Sequence, residues 1–157
     1  MVGAPHLPDA LPMTDQTIDQ PTRNKQLVQA FIQELFSTGD LAAVDRYLDP
    51  GFVNHDPPFP GAPDGPEGMR RAAAMFRAAL PDWYSEVDQL VAEGDVVVEQ
   101  FTASGTHRAE LMGAAGTGRR IVLRGINIFR IADDRIVERW GRLDELGLLR
   151  QLGMQPG

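Results

Sequence analysis

The residues best suited to chemistry stand at the end of a strand-like segment close to the C-terminus. Asp144 ends this segment, and Trp140 and Arg142 precede it at alternate positions. Alternate residues of a regular strand share a face, so these three side chains are predicted to point the same way. Three interpretations follow: an acid/base carboxylate at the bottom of a pocket, a surface ion pair, or a cap for the helical turn that comes next.

Other polar residues interrupt or end apolar strand segments. Asn127 lies within one of them, and a buried amide must find a hydrogen-bond partner or face a cavity. His107 ends the segment that begins with Phe101, and Asn54 and His55 close a shorter one. Each polar residue also has a purely structural explanation: a satisfied core amide, a capped strand end or a turn beside prolines. The functional hypothesis is that these polar side chains all line one pocket.

The spacing of apolar residues changes once along the chain, from a helical period to a strand period. The first half predicts helices and one short strand, in the order helix 22–37, helix 41–48, strand 52–55 and helix 67–80. The second half predicts strands 83–92, 96–107, 119–131 and 135–144 and a short helix 145–152. A glycine-rich loop at residues 108–118 is a candidate pocket rim. Helices followed by an antiparallel meander predict an α+β domain with the helices packed on one face of a curved sheet.

The composition indicates one globular domain that binds neither nucleic acid nor membrane. The 157 residues include 43% hydrophobic and 24% charged residues, enough for one core. A net charge of −7 argues against polyanionic partners, and no apolar run is long enough to cross a bilayer. Residues 1–20 lack a signal-peptide pattern and are predicted to be a flexible tail before a single domain at residues 21–157. The absence of cysteine fits a cytoplasmic protein.

The chain lacks the sequence motifs of common nucleotide, nucleophile and metal sites. The stretch Gly113–Gly118 has neither the lysine nor the following helix of a phosphate-binding loop, and no Gly-x-Ser-x-Gly motif is present. The histidines His6, His55 and His107 are far apart, and none has a metal-ligand partner at the usual spacing. We therefore predict a function that needs no metal and no cofactor.

Several short segments carry a family resemblance. They are Phe52–Asp56, Leu80–Asp82, Val91–Asp95, Ser104–His107, Gly116–Arg120, Phe129–Ile131 and Asp144–Gly153. In this order they resemble the SnoaL-like polyketide cyclases, also called ester cyclases, within the superfamily shaped like nuclear transport factor 2. The resemblance implies a conical barrel, in which a strongly curved, mostly antiparallel sheet is wrapped by three N-terminal helices around one deep pocket. It also implies a homodimer formed through the sheet.

The same resemblance implies a role for Asp144. In the aromatic-polyketide cyclases, the aspartate at the matching position is the acid/base of an intramolecular aldol closure. It removes a proton from a carbon activated by an ester, the carbanion attacks a ketone, and the alkoxide takes up a proton. The substrate delocalises its own charge, so no metal is implied. The best-known cyclases carry a histidine where this chain has Asn127, and asparagine donates hydrogen bonds but does not shuttle protons.

The favoured function is a cofactor-independent cyclase of a polyketide-like or other secondary-metabolite substrate, a small hydrophobic molecule. One alternative is an epoxide hydrolase, dehydratase or isomerase on the same scaffold, with Asp144 activating water and His107 as the second acid. The other is a pocket that binds a small apolar ligand without chemistry, which an exposed Asp144 would favour. The candidate catalytic residues are Asp144 and His107. The candidate substrate-binding residues are Asn54, His55, Phe101, Asn127, Trp140 and Arg142.

Overall fold

The described part of the domain begins with a capped helix. The computed structural model describes Gly3 and residues 18–154, so most of the tail predicted at residues 1–20 lies outside the described residues. Asp19 caps helix α1 (Gln20–Ile32), because its side chain accepts a hydrogen bond from the backbone nitrogen of Thr22 at 2.9 Å. The first backbone donors of a helix lack partners within it, and an aspartate cap satisfies one of them. Helix α1 therefore begins at Gln20, with Asp19 as its N-cap.

Helices and strands in residues 18–154 follow the predicted order. α1 continues as a π-helical turn (Gln33–Ser37), and the other helices are α2 (Ala43–Tyr47), α3 (Pro66–Ala79) and α4 (Glu145–Gln151). The strands are β1 (Leu48–Asn54), β2 (Tyr84–Glu93), β3 (Val96–Thr106), β4 (Arg120–Ala132) and β5 (Arg135–Leu143). α2 is shorter than predicted because Leu48 is buried and pairs with Ile136 of β5. No helix in this part of the chain is long and apolar enough to cross a membrane.

The strands form one sheet in the order β1-β5-β4-β3-β2. β1 runs parallel to β5, and the other neighbouring pairs are antiparallel. α1 contacts β2 and β3, and α3 contacts β1. This arrangement confirms the predicted α+β architecture with three N-terminal helices and a mostly antiparallel sheet. The barrel is not closed, because the edge strands β1 and β2 do not pair with each other.

A β-bulge in β5 decides which side chains of that strand face inward. The register of β5 against β4 shifts between Arg130 and Ile131, which leaves Val137 as an extra residue. One inserted residue reverses the alternation of the two faces of a strand. Ile136 is buried before the bulge and Arg139 after it. From Arg139 onward, the odd-numbered residues of β5 therefore face the helices.

The core consists of two apolar clusters between the sheet and the helices. One surrounds Phe31 of α1 and Phe129 of β4, whose rings meet edge to face with centroids 6.3 Å apart. The other surrounds Leu80, Phe101 and Ile121. Burial of such side chains is the main favourable term in folding. A cavity lies where the two clusters meet and is lined by members of both.

Candidate functional site

The cavity lies between the inner face of the sheet and helices α1 and α3. The empty space in and around it, including open solvent, is about 590 Å³. The apolar lining residues are Ile32, Phe36, Pro58, Met69, Ala72, Phe76, Trp83, Phe101, Ala103, Leu123, Phe129 and Leu143. The polar lining residues are Ser85, Glu99, Asn127 and Arg139. A concave apolar surface with a few converging polar groups is the usual form of a small-molecule site.

Three of the polar residues form a buried hydrogen-bonded cluster on adjacent strands. Glu99 of β3, Asn127 of β4 and Arg139 of β5 are 0%, 6% and 5% exposed. Asn127 Nδ2 donates a hydrogen bond to Glu99 Oε1 at 2.8 Å, and Arg139 Nε donates to Asn127 Oδ1 at 2.9 Å. The Asn127 amide donates towards Glu99 and accepts from Arg139, and these two hydrogen bonds determine the orientation of the amide group. Asn127 therefore links a carboxyl group to a guanidinium group.

Arg139 also fastens the chain segment that follows β1. Its Nη1 donates to Asn54 Oδ1 at 3.0 Å and to the backbone oxygen of Asp56 at 2.9 Å. A Cβ atom at position 141 would lie 2.2 Å from Arg139 Nη2, so Gly141 leaves the space that the guanidinium occupies. The proline-rich segment after Asp56 is thereby held against β5 by the same side chain that contacts Asn127.

The burial of Glu99 changes its acidity. Burial raises the pKa of Glu99 from its usual 4.5 to about 7, and the charge of Asp88 adds to the rise. The hydrogen bond from Asn127 and the charge of Arg139 act in the opposite direction. Burial lowers the pKa of Arg139, against the charges of Asp56 and Glu99. Among the described residues, Oε2 of Glu99 has no hydrogen-bond partner. The cavity thus holds a carboxyl group whose pKa burial raises towards neutrality.

The cavity adjoins a surface depression beside the proline-rich loop and helix α4. Pro58, Phe76, Leu123 and Leu143 line both the cavity and this depression, which we call the mouth. The remaining mouth residues are Pro57, Phe59, Pro60, Met112, Glu145, Leu148 and Leu149. This surface is mainly apolar, as is usual for the approach to a small-molecule site.

Comparison with known proteins identifies the family. The family profile of the SnoaL-like polyketide cyclases matches residues 26–152. The chain belongs to this family. Similar proteins include the aklanonic acid methyl ester cyclase DnrD of Streptomyces peucetius, 32% identical over 109 residues, which are 69% of this chain and 72% of the relative. The nogalonic acid methyl ester cyclase of Streptomyces nogalater is 29% identical over 119 residues, 75% of this chain and 89% of the relative.

A solved structure agrees with the SnoaL-like assignment. The structure of TsrD from Streptomyces laurentii superimposes with a TM-score of 0.77 at 33% sequence identity. The match covers 88% of this chain and 99% of TsrD. The family and the fold that the sequence segments predict are therefore confirmed.

Two predicted site residues line the SnoaL-like cavity, and a third touches its polar cluster. Asn127 and Phe101 are lining residues. Asn54 accepts the hydrogen bond from Arg139, and its amide nitrogen lies 3.6 Å from the sulfur of Met69, another lining residue. The structure thus brings together the predicted residues on β3, on β4 and at the end of β1.

Three other predicted substrate-binding residues lie on the outer side of the sheet. The ring of Trp140 stacks on His55 with centroids 4.6 Å apart, and His55 Nε2 lies 2.8 Å from Glu138 Oε2. The side chain of Arg142 is 81% exposed and pairs with Asp56. The predicted place of His55, Trp140 and Arg142 in the pocket is corrected. The bulge at Val137 turns the even-numbered residues of β5 that follow it outward, and His55 lies on the same side because it stacks on Trp140.

Asp144 lies at the rim of the mouth, between the mouth residues Leu143 and Glu145. It is exposed, and its Oδ1 accepts a hydrogen bond from the backbone nitrogen of Gly147 at 3.0 Å. This is the geometry of an N-cap on α4, one of the three interpretations of the sequence. Asp144 is not among the residues that line the cavity, and its acid/base role stays a prediction.

His107 is fully buried beside the glycine-rich loop and is not among the residues that line the cavity. Its Nδ1 lies 3.1 Å from Thr117 Oγ1. Its backbone nitrogen donates to the oxygen of Arg119, and its backbone oxygen accepts from the nitrogen of Gly118. His107 therefore holds the glycine-rich loop to β3. It does not line the cavity, and its catalytic role stays a prediction.

Glu99 is the residue that sequence reasoning missed. It occupies an odd-numbered position of β3, like Val97, Phe101 and Ala103, all of which are buried. The test applied to Asn127, a polar residue at an apolar position of a strand, identifies Glu99 as well. Within the described residues, no group of three His, Asp or Glu side chains is arranged to hold a metal ion.

Proposed function

We propose that this chain is a cofactor-independent cyclase that closes a carbon ring in a polyketide methyl ester or a similar secondary metabolite. The proposal is carried by one observation: an apolar cavity whose wall holds a carboxyl group, Glu99, linked through Asn127 to Arg139. The names of two relatives, both methyl ester cyclases, support the substrate class. Ring closure needs a site that holds two reacting carbons together and a group that moves a proton.

An intramolecular aldol closure consumes no reagent besides the substrate. A base removes a proton from the carbon activated by the ester, and the electron pair delocalises as a carbanion. The carbanion forms a bond to the ketone carbon, whose oxygen becomes an alkoxide. The alkoxide then takes up a proton, so the product is an isomer of the substrate. The cavity contributes burial, orientation and N–H donors for the oxygen that gains charge.

Two observations bear on the alternative functions. The exposure of Asp144 by itself favours a pocket that binds without chemistry, but Glu99 gives the cavity a carboxyl group of its own. Epoxide hydrolysis or dehydration needs an acid and a base within reach of one point. Among the lining residues Glu99 is the only carboxylic acid, and none is a histidine. A reaction in which one group takes and returns a proton fits this lining best.

Filling the cavity tests the proposal. Ala72 is 3% exposed, lies on α3 and lines the cavity. Ala72→Leu keeps a good helix former but places additional carbon atoms in the space for substrate. We expect kcat/KM for ring closure of aklanonic or nogalonic acid methyl ester to fall by about ten-fold or more. Product formation is followed by chromatography under steady-state conditions.

Ala78→Leu is the matched control, because Ala78 is exposed on the same helix. We expect this variant to retain the parent kcat/KM and melting temperature. If Ala72→Leu folds with a parent-like circular dichroism spectrum and turns over the esters at the parent rate, the cavity is not the site of reaction.

We also propose that two copies associate through the outer face of the sheet, as the family resemblance implies. The cross-strand register aligns Val91, Val98, Ile128 and Trp140 in an apolar row across β2, β3, β4 and β5. Val91 is 60% exposed and Ile128 36% exposed. An apolar row on a sheet face pairs with a copy of itself around a two-fold axis, which removes it from water.

A charge within the row tests this association. We expect Ile128→Glu to sediment as a monomer where the parent chain sediments as a dimer, because burying an unpaired carboxylate is unfavourable. Gln100→Glu is the control: Gln100 is exposed on the same face and outside the apolar row. Sedimentation equilibrium at several concentrations provides the measurement. A monomeric parent chain, or an unchanged Ile128→Glu dimer, would exclude this interface.

A further inference from the structure

We propose that Glu99 is the acid/base group of the ring closure, with Asn127 orienting its carboxyl and Arg139 balancing its charge. This assignment rests on the proposed function and adds to it the identity of the group that moves the proton. It differs from the role that the family resemblance implies for Asp144. Glu99 lines the cavity, whereas Asp144 lies in the chain between two residues of its mouth, Leu143 and Glu145.

The hydrogen bonds leave one oxygen of Glu99 available for substrate. Oε1 accepts from Asn127 Nδ2 at 2.8 Å, and Oε2 has no partner among the described residues. A buried carboxyl oxygen without a partner is costly unless another group, such as a substrate, contacts it. Since Glu99 lines the cavity, a ligand in the cavity is the available partner. A proton-transfer group needs this combination of a fixed orientation and one free oxygen.

The surroundings of Glu99 suit a group that alternates between two charge states. The helical wall opposite, formed by Ile32, Phe36, Met69, Ala72 and Phe76, contributes no ionisable side chain. The charged groups that act on Glu99 are Arg139 on β5 and Asp88 on β2. Burial raises the pKa of Glu99 to about 7, which makes it a stronger base than an exposed carboxylate. Arg139 stabilises the ionised form without a direct ion pair, because Asn127 lies between the two groups.

The proton transfers balance with Glu99 alone. The ionised carboxyl takes the proton from the activated carbon of the ester and becomes neutral. The resulting carbanion attacks the ketone carbon of the same molecule, forming the new carbon–carbon bond and an alkoxide. Neutral Glu99 then returns the proton to the alkoxide, which restores the carboxylate. One N–H of the Asn127 amide is committed to Glu99 Oε1, and its second N–H is available to the substrate oxygen.

Asp144 lacks these features in the structure. Its carboxylate is exposed and engaged with the backbone nitrogen of Gly147 at the start of α4. Asp144 also lies outside the residues that line the cavity. The pair Glu99→Gln and Asp144→Asn therefore compares the two carboxyl groups directly, because each change replaces one carboxyl oxygen by an amide nitrogen. Asparagine also caps helices well, so Asp144→Asn preserves α4.

The experiment measures two reactions for the parent chain, Glu99→Gln, Glu99→Asp and Asp144→Asn. The first is ring closure of aklanonic and nogalonic acid methyl esters. The second is solvent deuterium exchange at the activated carbon of the same esters after reduction of the ketone to an alcohol, where a carbanion forms but no ring closes. We expect Glu99→Gln to lower both rates about 100-fold or more, and to lower them far more than Asp144→Asn does. Glu99→Asp, which withdraws the carboxyl by one methylene, retains part of both rates.

The pH profile separates proton transfer from a structural role. We expect kcat/KM of the parent chain to rise with pH up to about 7, as Glu99 ionises, and the residual rate of Glu99→Gln to lack this step. Ring closure that survives Glu99→Gln but not Asp144→Asn would overturn the role of Glu99 and leave the proposed function intact. Exchange that depends on Glu99, without ring closure of either ester by the parent chain, would overturn the cyclase proposal instead. If the parent chain catalyses neither reaction, both the role of Glu99 and the proposed cyclase function are overturned.

Discussion

Glu99→Gln is expected to stabilise the chain by about 3 kcal/mol above pH ~8 and to leave its stability nearly unchanged at pH ~4. The reason is the difference between the pKa of Glu99 in the folded chain, about 7, and its usual value of 4.5. A neutral glutamine has the shape of the protonated glutamic acid and carries no charge that must be buried. The variant that is expected to lose activity is thus expected to gain stability.

The sign follows from the protons bound in each state. Between pH 4.5 and about 7, Glu99 keeps its proton in the folded chain and has released it in the unfolded chain. Stability falls with rising pH wherever the folded state binds more protons. The contribution of neutral Glu99 is therefore fully present below pH 4.5 and is lost as pH rises through about 7. Above that pH, folding requires a buried carboxylate.

Urea unfolding across this pH range measures the difference, with the unfolding free energy extrapolated to water at each pH. Glu86→Gln is the matched control, because Glu86 is exposed on the neighbouring strand β2. We expect the curves of Glu99→Gln and the parent chain to diverge as pH rises, and the curve of Glu86→Gln to follow the parent. Parallel curves for Glu99→Gln and the parent would mean that Glu99 titrates like an exposed carboxyl group.

The difference in stability has a functional consequence. A chain optimised for stability alone would place an apolar side chain or glutamine at position 99, since no ion pair compensates the charge directly. Sites that perform chemistry commonly retain such unfavourable groups. The stability measurement therefore supports or weakens the assignment of Glu99 without any substrate, which separates it from the activity assays.

The periodicity of apolar residues predicts most of this fold, and a single inserted residue accounts for the main error at the site. Helical spacing up to Leu80 and strand spacing after it are strong signals, because each element buries one face. Which face of β5 points inward could not be predicted in this way. The bulge lies at Val137, and a valine within a strand segment gives no sign of a bulge. A regular β5 would point Trp140 and Arg142 into the cavity, and the bulge points Arg139 there instead.

Glu99 shows a second limit of the sequence. It stands beside Gln100, and its inward direction is indicated by the residues that follow, where apolar Phe101 and Ala103 alternate with polar Thr102 and Ser104. Its hydrogen-bond partner is not indicated, because the pairing of Glu99 with Asn127 is known only from the register of β3 and β4. Asn127 is recognisable from its own strand because isoleucines flank it on both sides. The residues of the cluster become a site only through the sheet that aligns them.

Arg139→Met is expected to destabilise the chain by about 3 kcal/mol, because three acceptors each lose the hydrogen bond that Arg139 donates. They are the side-chain oxygens of Asn127 and Asn54 and the backbone oxygen of Asp56, at 2.9–3.0 Å from the guanidinium. Methionine fills much of the same volume, so the loss reflects hydrogen bonds rather than packing. Chemical denaturation below pH ~6, where Glu99 is neutral, isolates this effect from the charge of the carboxyl.

Arg142→Met is the control on the same strand, since Arg142 is exposed and its pairing with Asp56 lies at the surface. A surface ion pair contributes less than about 1 kcal/mol, so this variant is expected to resemble the parent. Because the charge of Arg139 lowers the pKa of Glu99, Arg139→Met is also expected to move the pH-dependent loss of stability above pH 7. In the double variant with Glu99→Gln this shift disappears, because no carboxyl remains to titrate. A shift that persisted in the double variant would assign the titration to a group other than Glu99 and would remove Arg139 from the proton-transfer cluster.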